Sequence, residues 1–303
     1  MIRVESVKKS YDTIKAVDGV SFDAERGEIF GLIGPNGAGK TTIIRMIMNI
    51  IAPDSGQIFF DGNPLQEEDK KRIGYLPEER GLYRKVKVNE MLLYLGELKG
   101  ASTGTLQKNI DTWLDRFELM DWKLKPISDL SKGMSQKVQF IAAVAHEPTI
   151  LFFDEPFAGL DPVSSDILRE SILELSRSGR TVLFSTHIME QAEKLCNKIF
   201  LINKGKQVVY GRLDEVKESH GSNNIIVEFD GDGNFIGDLV GVATAQTYQR
   251  WVEIRLEDGT TPDDLLARLV GKISIKRFEV VAPSLHSIFV SLVGGNARGA
   301  ADE

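Results

Sequence analysis

Gly34 to Thr42 read GPNGAGKTT, a match at every required position to the phosphate-cradling pattern G-x-x-x-x-G-K-[ST]. Glycines in that spelling let successive backbone N–H groups turn inward onto the α- and β-phosphates of a nucleotide. A helix starting near Lys40 would aim its positive end at the same phosphates. Lys40 is placed to reach the β- and γ-phosphates, and Thr41 offers a hydroxyl to Mg²⁺. The strand-like run Glu28 to Ile33 precedes the loop, and Ile43, Ile44, Ile47 and Ile51 recur at helical spacing after it, so an apolar helix face can anchor it. Gly34, Pro35, Asn36, Gly37, Ala38, Gly39, Lys40, Thr41 and Thr42 are therefore candidate nucleotide-binding residues, with a nucleoside triphosphate as ligand.

A phosphate loop alone is compatible with kinases, GTPases, helicases and transporter ATPases. Further along, Thr149 to Phe153 is an apolar run that ends in Asp154 and Glu155. This places two carboxylates at the C-terminal edge of a buried strand, where open α/β sheets bind nucleotides. Asp154 suits Mg²⁺, directly or through water. Glu155 can polarise the water that attacks the γ-phosphate, because phosphoryl transfer needs a positioned nucleophile more than covalent help. In isolation the pair would read equally well as an acidic cap on a strand.

Between these elements lies LSKGMSQKVQF, Leu130 to Phe140, with Val138, Ile141, Ala142 and Ala145 on one helical face and Pro148 closing the run. Here the chain resembles the ABC ATPase family, whose signature is usually written LSGGQ. Leu130, Ser131, Lys132, Gly133 and Met134 stand at those positions. Lys132 and Met134 depart from the pattern, while Ser131 and Gly133, which the resemblance implies would contact phosphate, are kept. The resemblance further implies that Tyr11 stacks on adenine, that Asp161 belongs to the loop following the catalytic carboxylates, and that His187 is a switch histidine. Each residue also has a plain structural explanation. Ser131 and Asp161 are natural helix caps, the latter with Pro162 at the first helical position; Tyr11 could be a strand-face aromatic and His187 a turn histidine. The resemblance covers roughly Met1 to Arg212.

One more position departs from the family. Where it usually has a glutamine reaching Mg²⁺ and the γ-phosphate, YLPEERGLY supplies Glu78. A carboxylate is a hard oxygen donor for Mg²⁺, yet beside a γ-phosphate it adds like charge unless the metal, Arg80 or Arg84 offsets it. The combination of PEERGLY with LSKGMSQK looks like the branch of exporter ATPases associated with sodium, drug or antibiotic efflux. From the resemblance follow ATP and Mg²⁺ as ligands, Glu155, His187 and Lys40 as catalytic residues, and Thr41, Glu78 and Asp154 as metal contacts. It also implies pairing with a second copy or a paralogous ATPase subunit, and a separate integral-membrane permease holding the chain at the inner face of the cell membrane. In the family fold the helix opened by Ser131 and Gly133 points away from its own phosphate loop, so it meets a γ-phosphate only across a partner. A soluble ABC ATPase acting on ribosomes or DNA is the alternative. Such relatives usually carry two cassettes or a coiled-coil insert, and this chain has one cassette and no heptad run. A small-molecule kinase on the same loop would leave the signature and His187 unexplained.

Composition is consistent with a globular subunit: 303 residues, 42% hydrophobic, 27% charged, net charge −7. No apolar run approaches the roughly 18 to 20 residues needed to cross a bilayer, and MIRVESVKKS has no apolar signal region. The single cysteine, Cys196, excludes an internal disulfide and fits a reducing compartment. The acidic balance argues against nucleic-acid binding, with the clusters Lys70, Lys71, Arg72 and Arg84, Lys85, Lys87 read as solvated faces. The expected fold is α/β: residues 1–212 a phosphate-loop ATPase domain with a mixed sheet core, an antiparallel β subdomain and a helical subdomain at about 86–145. A linker at 213–224, a small α+β C-terminal domain at 225–294 and a flexible tail at 295–303 follow. In that second domain Ile225 to Phe229 and Trp251 to Leu256 alternate as strands, and Thr261 caps a helix with Asp264 three residues on.

Overall fold

The structure, a computed structural model, describes residues 1–78, 81–220, 224–257 and 259–298. Two compact units divide the chain, Met1–Leu213 and Asp214–Glu303. In the first, β1 (Ile2–Tyr11) and β2 (Ile14–Ala24) form an antiparallel hairpin, followed by β3 (Ile29–Ile33) and α1 (Lys40–Ile47). Then come β4 (Ser55–Phe60), β5 (Asn63–Pro64), β6 (Ile73–Leu76), α2 (Val88–Leu98), α3 (Thr103–Arg116) and α4 (Lys132–Val144). The unit continues with β7 (Ile150–Asp154), α5 (Pro162–Arg177), β8 (Thr181–Thr186), α6 (Met189–Leu195), β9 (Lys198–Asn203) and β10 (Lys206–Arg212).

Two sheets carry this unit. One has the order β2-β1-β4-β5 and is antiparallel; the other is six-stranded, β10-β9-β3-β8-β7-β6, parallel except for its β10 edge. Every residue of β3, β7 and β8 is buried. That explains why these strands read as near-continuous apolar runs rather than as alternations. Ile43, Ile44 and Ile47 of α1 share a core with Val17 and Phe22 of β2 and with Phe30, Leu32, Phe152 and Phe200 of the parallel sheet. The helix behind the phosphate loop is thus wedged between both sheets, and Phe22 stacks on Phe30 with ring centroids 4.8 Å apart.

The stretch from 86 to 145 is mainly helical. Met91, Leu92, Leu95 and Leu98 of α2 recur at helical spacing; Met91 and Leu92 are buried together with Val88 and Gly96, while Leu98 is 62% exposed. The cause is Leu106 of α3, whose Cδ2 would lie 2.5 Å from a Cβ added at Gly96. The missing side chain lets α3 pack against the backbone of α2, which rotates the contact face away from Leu98.

The second unit takes in α7 (Leu213–Ser219), β11 (Asn224–Asp230), β12 (Val242–Thr247), β13 (Trp251–Leu256), α8 (Pro262–Leu269), β14 (Ser274–Val281) and α9 (Leu285–Arg298). Its sheet runs β12-β13-β11-β14, antiparallel throughout. Ile225, Val227, Phe229, Val252, Ile254 and Leu256 turn one face inward onto Leu265 and Leu269 of α8. Thr261 caps α8 as expected: Thr261 Oγ1 accepts from Asp264 N at 3.2 Å, and Asp264 Oδ2 accepts from Thr261 N at 3.0 Å. The β12 strand left no sequence signal because VATAQT supplies only Val242 and Ala245 to the core. The last helix, α9, starts from the buried Leu285 and Ile288 and runs to Arg298. Residues 299–303 lie outside the described residues. Among the described residues no helix is long and apolar enough to cross a membrane.

Candidate functional site

Parallel pairing brings the ends of β3, β6, β7 and β8 to one edge, with Ile33 beside Thr186 and Asp154 beside Ser185. The phosphate loop leaves β3, Glu78 follows β6, Glu155 follows β7 and His187 follows β8. Such an edge of a doubly wound sheet is where ligands bind. A cleft of about 570 Å³ opens there, lined by Asn36, Gly37, Gly39, Lys40, Thr41, Thr42, Glu78, Asp154 and Glu155.

Gly39 caps α1 with φ +112°, and a Cβ there would stand 2.4 Å from the Ala16 carbonyl oxygen. Only glycine suits this position, which holds the start of α1 against the β1–β2 hairpin. Lys40 Nζ donates to the carbonyls of Gly34 at 2.7 Å and Pro35 at 3.2 Å. Burial pushes the Lys40 ammonium below its usual pKa, opposed by the charges of Glu155, Asp154 and Glu78. Asp154 is 2% exposed and accepts from Ser185 Oγ. Burial raises the Asp154 pKa, and Glu78 and Glu155 push the same way, while Ser185 and Lys40 oppose.

Glu155 sits in the left-handed region, φ 49°, a conformation a non-glycine residue keeps only where its surroundings fix it. Those surroundings are explicit. Glu155 Oε1 accepts from the backbone N of His187 at 2.8 Å and lies 2.6 Å from His187 Nδ1; Oε2 accepts from Thr186 Oγ1 at 3.1 Å. Glu155 N donates to the Ser185 carbonyl at 3.0 Å. The carboxylate is oriented by the end of β8 and the histidine after it, in the arrangement of a base held by a second group.

Other candidates lie elsewhere. Gly34 and Pro35 act through their carbonyls on Lys40, and Ala38 is buried beneath the loop, its carbonyl accepting from Gly205 N at 2.9 Å. Tyr11 ends β1, 44% exposed, with Lys9 Nζ 5.9 Å from its ring centroid. Ser131 caps α4, Oγ accepting from Met134 N at 3.2 Å. Asp161 caps α5, accepting from Ser164 N at 2.9 Å and from Ser164 Oγ at 2.6 Å. In the single chain Ser131 and Asp161 thus do the ordinary work of helix caps, and neither they, Gly133 nor Tyr11 line the cleft. Arg80 lies outside the described residues, and Arg84 is not among the residues lining the cleft. Sequence reasoning missed Ile14, Lys15, Ala16, Lys204 and Gly205, which complete the cleft. In the sequence Lys204 and Gly205 mark only the turn of a hairpin joining the runs Ile199 to Asn203 and Gln207 to Tyr210; that hairpin reaches the loop because Gly205 N donates to Ala38 O and Gly205 O accepts from Asp18 N, each at 2.9 Å.

A profile of the ABC transporter family matches residues 17–158, and one described as the C-terminal domain of DrrA1-3-like ATP-binding proteins matches residues 211–293. An ABC transporter ATP-binding protein of Bacillus subtilis, YhaQ, is 42% identical, the match covering 97% of this chain and 99% of that protein. The linearmycin resistance ATP-binding protein LnrL of the same organism is 35% identical over 98% of this chain and 100% of its own length. Among solved structures, an ATP-binding subunit of an ABC transporter is 31% identical, covers 73% of this chain and 93% of its own, and superposes with a TM-score of 0.69.

Proposed function

Because this chain belongs to the ABC transporter ATP-binding family and carries a DrrA-like C-terminal domain, we propose that it is the ATP-hydrolysing subunit of an exporter whose permease is a separate membrane chain. The triphosphate of ATP occupies the cleft at the sheet edge, on the loop Gly34–Thr42 and Lys40, and the adenine extends beyond the cleft toward Tyr11. Glu155, oriented by His187, accepts the proton of the attacking water. Among the described residues no group of three or more His, Cys, Asp or Glu forms a metal site by itself. Mg²⁺ is usually held by one or two carboxylates together with substrate phosphates. Thr41, Glu78 and Asp154 are the oxygen donors available to it, and the ion would neutralise charge developing on the β- and γ-oxygens.

The observation that carries this reading is the sharing of one cleft by the phosphate loop, Glu78, Asp154 and Glu155, with Ser131 and Gly133 lying outside it at the start of α4. Half of a γ-phosphate site is therefore on hand in one chain and the other half faces elsewhere. Two copies, or one copy and a paralogous subunit, complete it, each ATP held between a phosphate loop and the partner's Ser131–Gly133. Efflux is supported by LnrL, a resistance protein matched over nearly the whole chain. Attachment at the inner face of the cell membrane then runs through the permease, with no nucleic acid involved.

Affinity capture of the tagged chain from detergent-solubilised membranes tests the assignment. An integral-membrane chain co-purifying, with Mg²⁺-dependent ATPase activity abolished by Glu155→Gln, is the expected result. Recovery with ribosomes or DNA instead would overturn it in favour of a soluble ABC ATPase.

A further inference from the structure

The first two turns of α4 also make contacts within their own chain. Gln136 is 3% exposed, and its Nε2 donates to the carbonyl of Pro156 at 3.1 Å. Pro156 is the residue directly after Glu155, in the tight turn by which the chain leaves the sheet. Two other carbonyls of this turn are satisfied locally: Glu155 O accepts from Ala158 N at 3.1 Å and Phe157 O from Leu160 N at 3.2 Å. The Pro156 carbonyl between them bonds across to α4. Lys132, one turn earlier on the same helix face, lays its stem over Gly159, where a Cβ would come 2.7 Å from Lys132 Cε; Gly159 has φ +78°. An added Cβ at Gly133 would stand 3.4 Å from the Gly159 carbonyl oxygen. Residues 132, 133 and 136, spaced to share one face of a helix, thus rest on the loop from Pro156 to Gly159.

We propose that Gln136 is a positioning residue: its bond to Pro156 fixes the turn that holds Glu155, and ties the placement of that carboxylate to the helix whose first turn receives the partner's ATP. The proposal rests on the reading of Glu155 as base and of Ser131–Gly133 as the facing phosphate site. The physical ground is that Glu155 is held in the left-handed region, so its carboxylate geometry depends on what pins the backbone on either side. Upstream, the Ser185 carbonyl pins Glu155 N. Downstream, Gln136 is the side chain that pins Pro156. When α4 moves against a bound triphosphate, its side chain carries that motion to the base in the same subunit, coupling one ATP site to the other. A buried carbonyl that loses its donor is costly, so the turn would reorganise once the amide is gone.

The test uses the full chain with Gln136→Leu and Gln136→Glu. Each is measured for melting temperature, ATP affinity, kcat and KM, with Glu155→Gln in parallel. The expected outcome for Gln136→Leu is a kcat lower on the order of ten- to a hundredfold, with KM for ATP within about threefold of wild type by the same argument that uniform binding is untouched. Gln136→Glu has no donor when ionised and regains one when protonated. Its activity relative to wild type should therefore rise as the pH is lowered from 8 toward 6, while that of Gln136→Leu stays level. In the Glu155→Gln background, Gln136→Leu should still form the ATP-dependent dimer. A folded Gln136→Leu with kcat within twofold of wild type, a loss shared equally by kcat and ATP affinity, or a flat pH ratio for Gln136→Glu would each overturn the inference. Should Glu155→Gln itself turn over ATP normally, the base assignment fails and this inference falls with it; that result is separable from a harmless Gln136→Leu beside an inactive Glu155→Gln.

Discussion

Glu78, Asp154 and Glu155 share one cleft with Lys40, so a triphosphate entering it meets three carboxylates. A divalent ion is the natural counter-charge, and the residue-scale test is the dependence of hydrolysis on it. Glu78→Gln should change the Mg²⁺ titration little, because an amide oxygen can still coordinate, whereas Glu78→Ala should raise the Mg²⁺ needed for half-maximal rate. Identical titrations for wild type and Glu78→Ala would take Glu78 out of the site. On the proposed reading Lys40 would give up its bonds to the Gly34 and Pro35 carbonyls on turning to phosphate, so its contribution is a difference between two sets of partners. Lys40→Ala should still weaken ATP binding by about 1.5 to 3 kcal/mol, the range for a hydrogen bond to a charged group, and calorimetry measures it. Glu155→Gln should keep that affinity and cut turnover by on the order of a hundredfold or more; near-normal turnover would exclude Glu155 as base.

At the scale of elements, α4 is fixed at both ends. Its start rests on the loop after Glu155, and just past its end His146 Nε2 lies 3.2 Å from the Ile73 carbonyl of β6. Burial, with help from the Lys99 charge, pushes His146 down to a pKa of about 4 from 6.5. The unfolded chain therefore binds a proton near pH 6.5 that the folded chain refuses until about pH 4. Stability is full above 6.5 and falls as the pH drops through that window. The loss amounts to at most about 3 kcal/mol, from 1.36 kcal/mol per unit. Denaturant unfolding of His146→Gln should show a shallower decline between pH 6.5 and 4 than wild type; parallel curves would mean that another group governs that limb.

For the whole molecule the proposed reading implies that one chain holds an incomplete site. Ser131 and Gly133 stand at the start of α4 and do not line the cleft, and on that reading a large cation placed there would fill the space the partner's phosphate needs. Ser131→Arg should leave nucleotide binding by the single chain intact while preventing the ATP-dependent dimer on a sizing column, with activity falling in step. Normal hydrolysis by Ser131→Arg would refute the cross-subunit arrangement. Its side chain also caps α4 through Met134 N, so a loss of about 1 kcal/mol in stability is expected besides, and comparison with Ser131→Ala separates the two effects.

The residues alone determined the class of this protein. GPNGAGKTT between a strand and an amphipathic helix, an apolar run ending in Asp154 and Glu155, and the ordered signature and histidine are local patterns, and such patterns survive in sequence because backbone geometry and helix periodicity are local. The α/β fold and the family followed from them, as did the capping box of Thr261 and Asp264. Everything that depends on what lies across a sheet or between two helices was decided only in three dimensions. Parallel register set Asp154 beside Ser185, Gly96 turned α2 by admitting Leu106, the hairpin at Lys204 and Gly205 reached the phosphate loop, and Gln136 found Pro156 twenty residues away. A side chain's identity states what bonds it can make, but which partner it meets depends on contacts that form only once the chain has closed over long separations.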